Sequence, residues 1–132
     1  MSLPTDNVKR KALPIWDYLF GYFPDAFLAE VGVAVAGNDQ HNPGERLHWA
    51  REKSTDQLNT AFRHQFDYAK GVKKDTDGQW HLAKAIWRLK AQLQLDIEAE
   101  RADIGKQQLD TIEKIAHALN EQQIANDLQR HI

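Results

Sequence analysis

The sequence contains no cysteine. Disulfides and thiolate-held zinc are therefore excluded, and a reducing cytosol fits that composition. No stretch approaches the roughly 20 apolar residues that a membrane-spanning helix needs, and the N-terminus lacks the apolar core of a signal peptide. A formal charge of -2 leaves no basic footprint, which weighs against a nucleic-acid binder held by phosphate contacts. The composition leads us to expect a soluble, cytoplasmic protein that binds neither nucleic acid nor membrane. Also missing are a glycine-rich phosphate loop after a strand, a Gly-x-Ser-x-Gly elbow and a His-Glu-x-x-His pair, so several common hydrolase chemistries have no starting point here. No segment reads as a strand, and no internal repeat or low-complexity tract is present.

What is there is one domain's worth of chain, 132 residues, enough for one modest core. Residues 1–12 read as a polar, basic arm. Residues 13–23 are dense in aromatics, and Pro14, Gly21 and Pro24 argue for an ordered but extended or turn-rich segment. Pro24 suits the first position of a helix, with Asp25 in the first turn. The apolar spacing of Phe27, Leu28, Val31, Ala34 and Val35 predicts a helix over 24–36, stopped by Gly37. A second helix is expected over 55–70, capped by Ser54 or Thr55 and stopped by Gly71. A third should run from about Gln79 to Glu100 and a fourth from about Lys106 to Gln129, with Gly105 marking a break. The fold expected is therefore all-α, a helical bundle.

Between the first two helices lies a long polar stretch, Gly37 to Asp56, carrying His41, His48, Trp49, Arg46, Arg51 and Lys53 among turn formers. Helix connections in compact domains mostly run about 2–8 residues, and long polar loops on rigid helices are where binding residues tend to sit. Glu30 stands in an otherwise apolar helix. Asp56, Arg63 and Asp67 fall on one helical face, beside His64, although a solvated ion pair explains that face equally well. Asp75 and Asp77 sit beside Gly78 in a polar turn. His81, Lys84 and Arg88 share a stripe of the next helix. Acids and His converging from facing helices are a recurrent way to hold divalent metal, and oxygen ligands suit Mg²⁺ with phosphate in its shell. Glu30, Asp56, Asp67, Asp75, Asp77 and His81 are the available ligands. Lys53, Arg63, Lys84 and Arg88 are the available phosphate clamps.

Several short motifs occur in a fixed order: Tyr22-Phe23-Pro24-Asp25-Ala26, Gly37-Asn38-Asp39-Gln40-His41-Asn42-Pro43-Gly44, Leu47-His48-Trp49, Lys53-Ser54-Thr55-Asp56, Arg63-His64, Asp75-Thr76-Asp77-Gly78, His81-Leu82-Ala83-Lys84 and Trp87-Arg88. Over residues 13–98 this order resembles the phage dATP/dGTP diphosphohydrolase domain, a branch of the all-α MazG-like nucleoside triphosphate pyrophosphohydrolases. Within it the likeness is to enzymes of phages that replace adenine by 2-aminoadenine. The resemblance implies cleavage of the α,β-phosphoanhydride of dGTP, with GTP, dATP or dGDP as other substrates. It further implies two or three Mg²⁺ or Mn²⁺ ions and a site between subunits of a homodimer or homotetramer, with residues 99–132 as an oligomerisation helix. Among the available groups we assign Glu30, Asp77 and His81 to catalysis and Glu30, Asp56, Asp67, Asp75 and Asp77 to metal, favouring Glu30, Asp75 and Asp77, with Asp56, Asp67 and His81 as second choices. For substrate the resemblance implies Ile15, Trp16, Asn38, Gln40, His41, Trp49, Lys53, Arg63, His64, Lys84 and Arg88, among which Asn38 and Gln40 would read the base edge and Trp16 or Trp49 would stack on it. The chain departs from the wider group's Glu-x-x-Glu and Glu-x-x-Asp pairs: Val33 follows Glu30 by three, and His64 precedes Asp67 by three. A non-catalytic nucleotide-binding or helical assembly protein is the alternative.

Overall fold

The structure, a computed structural model, describes residues 2–131. Met1 and Ile132, the outermost residues of the expected arm and last helix, lie outside the described residues. The chain is all-α. Its helices are α1 (Asn7–Lys11), α2 (Pro24–His41), α3 (Gln57–Ala69) and α4 (His81–Arg130), with a π-helical stretch at Asp17–Tyr22 and a 3₁₀ turn at Arg51–Lys53. The one strand-like feature among the described residues is an isolated bridge between Lys74 and Trp80. Among the described residues no helix is long and apolar enough to cross a membrane. Two compact units divide the chain, Ser2–Gln94 and Leu95–Ile132.

Four local expectations need correction. The arm is not wholly irregular: Asp6 caps α1, its carboxylate accepting from the Lys9 N–H at 2.8 Å. The aromatic segment is helical rather than extended, because its prolines lie at its two ends and leave the interior intact. Phe23, immediately before Pro24, leaves the helical region (φ -135°, ψ 50°) and separates this segment from α2, as the clash of a proline ring with the preceding residue requires. Gly37 does not stop α2, which continues to His41. The stop comes from Asn42-Pro43-Gly44, where Pro43 cannot continue the ladder and Gly44 takes a left-handed φ of 76°. Gly105 does not break the last helix either. A lone glycine costs about 1 kcal/mol against alanine, too little to end a helix whose neighbours favour it.

The end of α3 fell where the sequence placed it. Gly71 (φ 91°) follows Lys70, its N–H donates to the Tyr68 carbonyl at 2.9 Å, and the Val72 N–H donates to the Asp67 carbonyl at 3.1 Å. Those two bonds form a Schellman motif. The chain then turns through Asp75–Gly78 and enters α4. The Gly78 N–H donates to the Asp75 carbonyl (2.9 Å) and the His81 N–H to the Lys73 carbonyl (3.0 Å). The buried apolar side chains are all small: Ala50, Ala61, Ala83, Ala85 and Ala91. Around them are buried polar groups, Asn38, Asn42, Gln57 and His81. Gly32 leaves room for the side chain of Gln79, just before α4. A Cβ there would come within 3.2 Å of Gln79 Oε1.

Candidate active site

A cleft of about 320 Å³ lies within the Ser2–Gln94 unit, at the lower end of the range of ligand pockets, about 300–1,000 Å³. The end of α2 contributes Gly37, Asn38, Gln40 and His41; the following loop contributes Leu47, His48, Trp49 and Ser54. From α3 comes His64, from the Asp75–Gly78 turn and its exit Asp77 and Gln79, and from α4 Lys84, Trp87 and Arg88.

The loop wall is held by amides. Asn38 Nδ2 donates to the Glu45 carbonyl at 2.9 Å, and its Oδ1 accepts from Asn42 Nδ2 (3.1 Å) and the His48 N–H (3.2 Å). Asn42 Nδ2 also reaches the His48 carbonyl at 3.3 Å. Both amide groups of Asn38 are thus engaged by the loop rather than presented to a base, whereas Gln40 lines the cleft from an exposed position. Trp49 meets Trp87 edge-on at 5.9 Å and carries the Arg51 guanidinium 4.3 Å from its ring centre. Its buried Nε1 has no hydrogen-bond partner. A buried indole N–H without a partner costs free energy.

Part of the lining is ionic. Lys84 Nζ lies 2.7 Å from both Asp75 Oδ2 and Asp77 Oδ2. Its hydrogen bond to Asp75, with that from the Thr76 N–H, holds the Asp75 carboxyl down at about 2, and the same ammonium lowers Asp77. Burial alone would lower Lys84, but the two carboxylates outweigh it and raise it. Arg88, half-buried, donates to Ser54 Oγ and to Gln57 Oε1 (3.2 Å). Burial lowers its pKa, and Arg63 adds to that. Ser54 is therefore an Arg88 acceptor, not the cap of α3, which begins at Gln57 after Asp56 with no side-chain cap. Beside Lys84, His64 Nδ1 lies 3.0 Å from His81 Nδ1. Burial, then the Lys84 charge, lowers the pKa of His64, which favours the neutral ring.

The sequence-predicted residues thus divide. Asn38, Gln40, His41, Trp49, His64, Asp77, Lys84 and Arg88 line the cleft. Asp75 and His81 join them through Lys84 and His64, and Lys53 reaches the His41 carbonyl at 2.6 Å. The others lie apart from this lining. Ile15 and Trp16 are exposed in the aromatic segment, with Trp16 on Phe20 at 4.3 Å. Glu30, largely buried on α2, pairs with Lys90 at 2.6 Å. Asp56 pairs with Arg63 at 3.5 Å, and Asp67 borders a separate hollow with Phe62, Arg63 and Phe66. The five acids nominated for metal therefore do not share one cage within the chain. Among the described residues, the group that gathers metal-ligand atoms is His64, Asp75 and His81, all within 4.8 Å of one another. Gln57, Gln79 and Trp87 were not singled out as site residues by sequence; Gln57, an uncharged residue in an amphipathic helix, gives no signal of its burial.

The cleft of this all-α unit brings Lys84, Arg88, Asp77 and three histidines, His41, His48 and His64, into one lining with Trp49 and Trp87. The chain belongs to the dATP/dGTP diphosphohydrolase N-terminal domain family, whose model matches residues 5–105. It is accordingly a hydrolase of the nucleotide diphosphohydrolase kind. No curated protein and no solved structure matches the chain.

Proposed function

We propose that this domain hydrolyses dGTP at the α,β-phosphoanhydride. Water adds across that bond, the α-phosphorus keeps the new oxygen, and dGMP and pyrophosphate leave. The observation that carries the reading is the placement of Lys84 and Arg88, one helical turn apart on α4, in the same cleft lining as Trp49 and Trp87. The cations fit a polyphosphate, with Arg able to grip two oxygens at once. The indoles fit a purine face.

Charge balance supports a divalent-cation requirement, Mg²⁺ or Mn²⁺. Lys84 is already offset by Asp75 and Asp77, so a polyphosphate brings negative charge that Arg88 alone does not neutralise. A bound ion would polarise phosphate oxygens and lower the pKa of water. Lys84 and Arg88 orient the phosphates, and the tryptophans and the α2–loop wall exclude water from the base. We place the reaction in purine nucleotide metabolism, with a phage that makes a modified purine as its setting. We also propose a homodimer or homotetramer. The exposed Leu109, Ile112 and Leu119 row of α4 gives a second copy an apolar surface to cover.

The test is incubation with dGTP and Mg²⁺ or Mn²⁺, products separated by chromatography. dGMP plus pyrophosphate is expected. Deoxyguanosine plus triphosphate would overturn the bond assignment, and binding of dGTP without turnover at any divalent ion would favour a non-catalytic nucleotide-binding protein.

A further inference from the structure

We propose that His64, Asp75 and His81 hold one divalent first-row transition-metal ion of the Mn²⁺, Fe²⁺ or Co²⁺ kind at the edge of the cleft. Three separate elements converge to make the group: α3 supplies His64, the turn supplies Asp75 and the first residue of α4 is His81. The two Nδ1 atoms stand 3.0 Å apart. Two nitrogens bound at about 2.1 Å to one ion, at right angles, are themselves about 3.0 Å apart. The spacing found matches that edge as well as it matches an N–H···N hydrogen bond. His81 is only 3% exposed, and an imidazole so buried is expected to have a committed partner. Asp75 is oriented on both oxygens, Oδ1 by the Thr76 N–H at 2.7 Å and Oδ2 by Lys84 at 2.7 Å. Each carboxylate oxygen keeps a further lone pair, and hydrogen bonds that orient a ligating carboxylate are the ordinary support of a metal site.

The donor set selects the ion. Two imidazoles and one carboxylate suit borderline metals and leave coordination positions open, whereas Mg²⁺ prefers oxygen throughout. His64 lines the cleft, so an ion that it held would lie beside the cleft. A phosphate oxygen held near Lys84 could then complete the shell. The role in turnover rests on the proposed dGTP hydrolysis; the binding site itself does not.

The experiment uses the full chain without a histidine tag, titrated with Co²⁺ in the absence of nucleotide. Visible absorption bands and calorimetry report binding, and Mg²⁺ serves as competitor. One Co²⁺ per chain is expected, not displaced by a hundredfold excess of Mg²⁺. His64→Gln and Asp75→Asn should each weaken binding at least tenfold while the far-ultraviolet circular dichroism stays that of the parent. The inference is overturned by no Co²⁺ binding to the parent chain, by displacement at low Mg²⁺, or by unchanged affinity in either folded variant. That last outcome would mean that the two imidazoles simply share a hydrogen bond. A chain that binds Co²⁺ here yet leaves dGTP intact would keep the metal site and sink the proposed reaction.

Discussion

Every buried side chain among the described residues lies before residue 92, whereas from Ala99 to His131 each one is exposed. The two regions share helix α4 and little else. In the Ser2–Gln94 unit α4 contributes His81, Ala83, Ala85 and Ala91 to the interior and Lys84, Trp87 and Arg88 to the cleft. In the Leu95–Ile132 unit it carries Ile104, Leu109, Ile112, Ile115, Leu119, Ile124 and Leu128 with nothing over them. Buried polar residues in the first region are all tied to a partner or a wall. In the second, helix-local pairs such as His117–Glu121 at 3.3 Å and Gln123–Asp127 at 2.9 Å occur, each worth only a few tenths of a kcal/mol. A site needs fixed geometry, and only the first region supplies it.

The sharpest way to break this comparison is to remove a cleft cation. Arg88→Ala should lower turnover of dGTP about a hundredfold, the usual scale for losing one preorganised charge on a phosphoryl group, with the helical signal unchanged. Arg88→Lys should recover only part of it, since Ser54 and Gln57 both engage Nη1 and an ammonium lacks the planar further nitrogens that would reach phosphate. Full activity in Arg88→Ala would mean that the chemistry happens elsewhere.

Next in size is the loop clamp. Asn38→Ala leaves the Glu45 carbonyl, the Asn42 amide and the His48 N–H each short of a partner. Of these only Asn42 is buried, and one unsatisfied buried group costs about 1–3 kcal/mol, so the urea midpoint should fall by about that amount in all and dGTP affinity should fall with it. A stability change below about 0.5 kcal/mol would show that the loop wall does not depend on Asn38.

A smaller effect is expected from acid. Asp75 is held at about 2 by Lys84, below the ordinary carboxylate value near 3.9. Its folded pKa is depressed, so its contribution is fully present above about pH 4 and is lost as the pH falls toward 2. Linkage puts that contribution on the order of 1–2 kcal/mol. His64 is shifted in the same direction, so its protonation below about pH 6.5 also opposes folding. Urea midpoints measured from pH 7 to pH 2 should converge for the parent and Asp75→Asn at the acid end. A constant gap across that range would remove Asp75 from the account.

Legibility in the sequence followed the range of the interactions. The helical class, the Gly71 stop, the Asn42-Pro43-Gly44 turn and the Lys84/Arg88 stripe all come from neighbours within one or two turns, where periodicity and backbone preference decide. The family likeness over residues 13–98 pointed to the same hydrolase class that the match over 5–105 shows. What stayed hidden is long-range. His64 and His81 are 17 apart in sequence, and Arg88 and Ser54 are 34 apart. No local pattern reports that the Asp75–Gly78 turn folds α4 back onto α3. Glu30 stood out in sequence because its neighbours are apolar; the structure gives it Lys90, 60 residues on. Asn38 looked like a base reader because its amide has both polarities, the same property that lets it clamp a loop.

The mildest test falls in the exposed region and turns on one glycine. Gly105 reads as a helix break in sequence, yet α4 runs through it, and a Cβ built there meets nothing within 4 Å. Gly105 is not among the glycines with left-handed φ, which are Gly44, Gly71 and Gly78. Gly105→Ala should therefore introduce no strain. It should raise helicity and stabilise that part of the chain by about 0.5–1 kcal/mol, by reducing the freedom of the unfolded backbone. Amide hydrogen exchange around residues 100–110 would register the change as slower opening, with exchange in α3 and turnover of dGTP unaffected. Faster exchange in the variant would mean that the chain uses Gly105 as a flexible joint after all. The two regions would then differ in continuity as well as in burial.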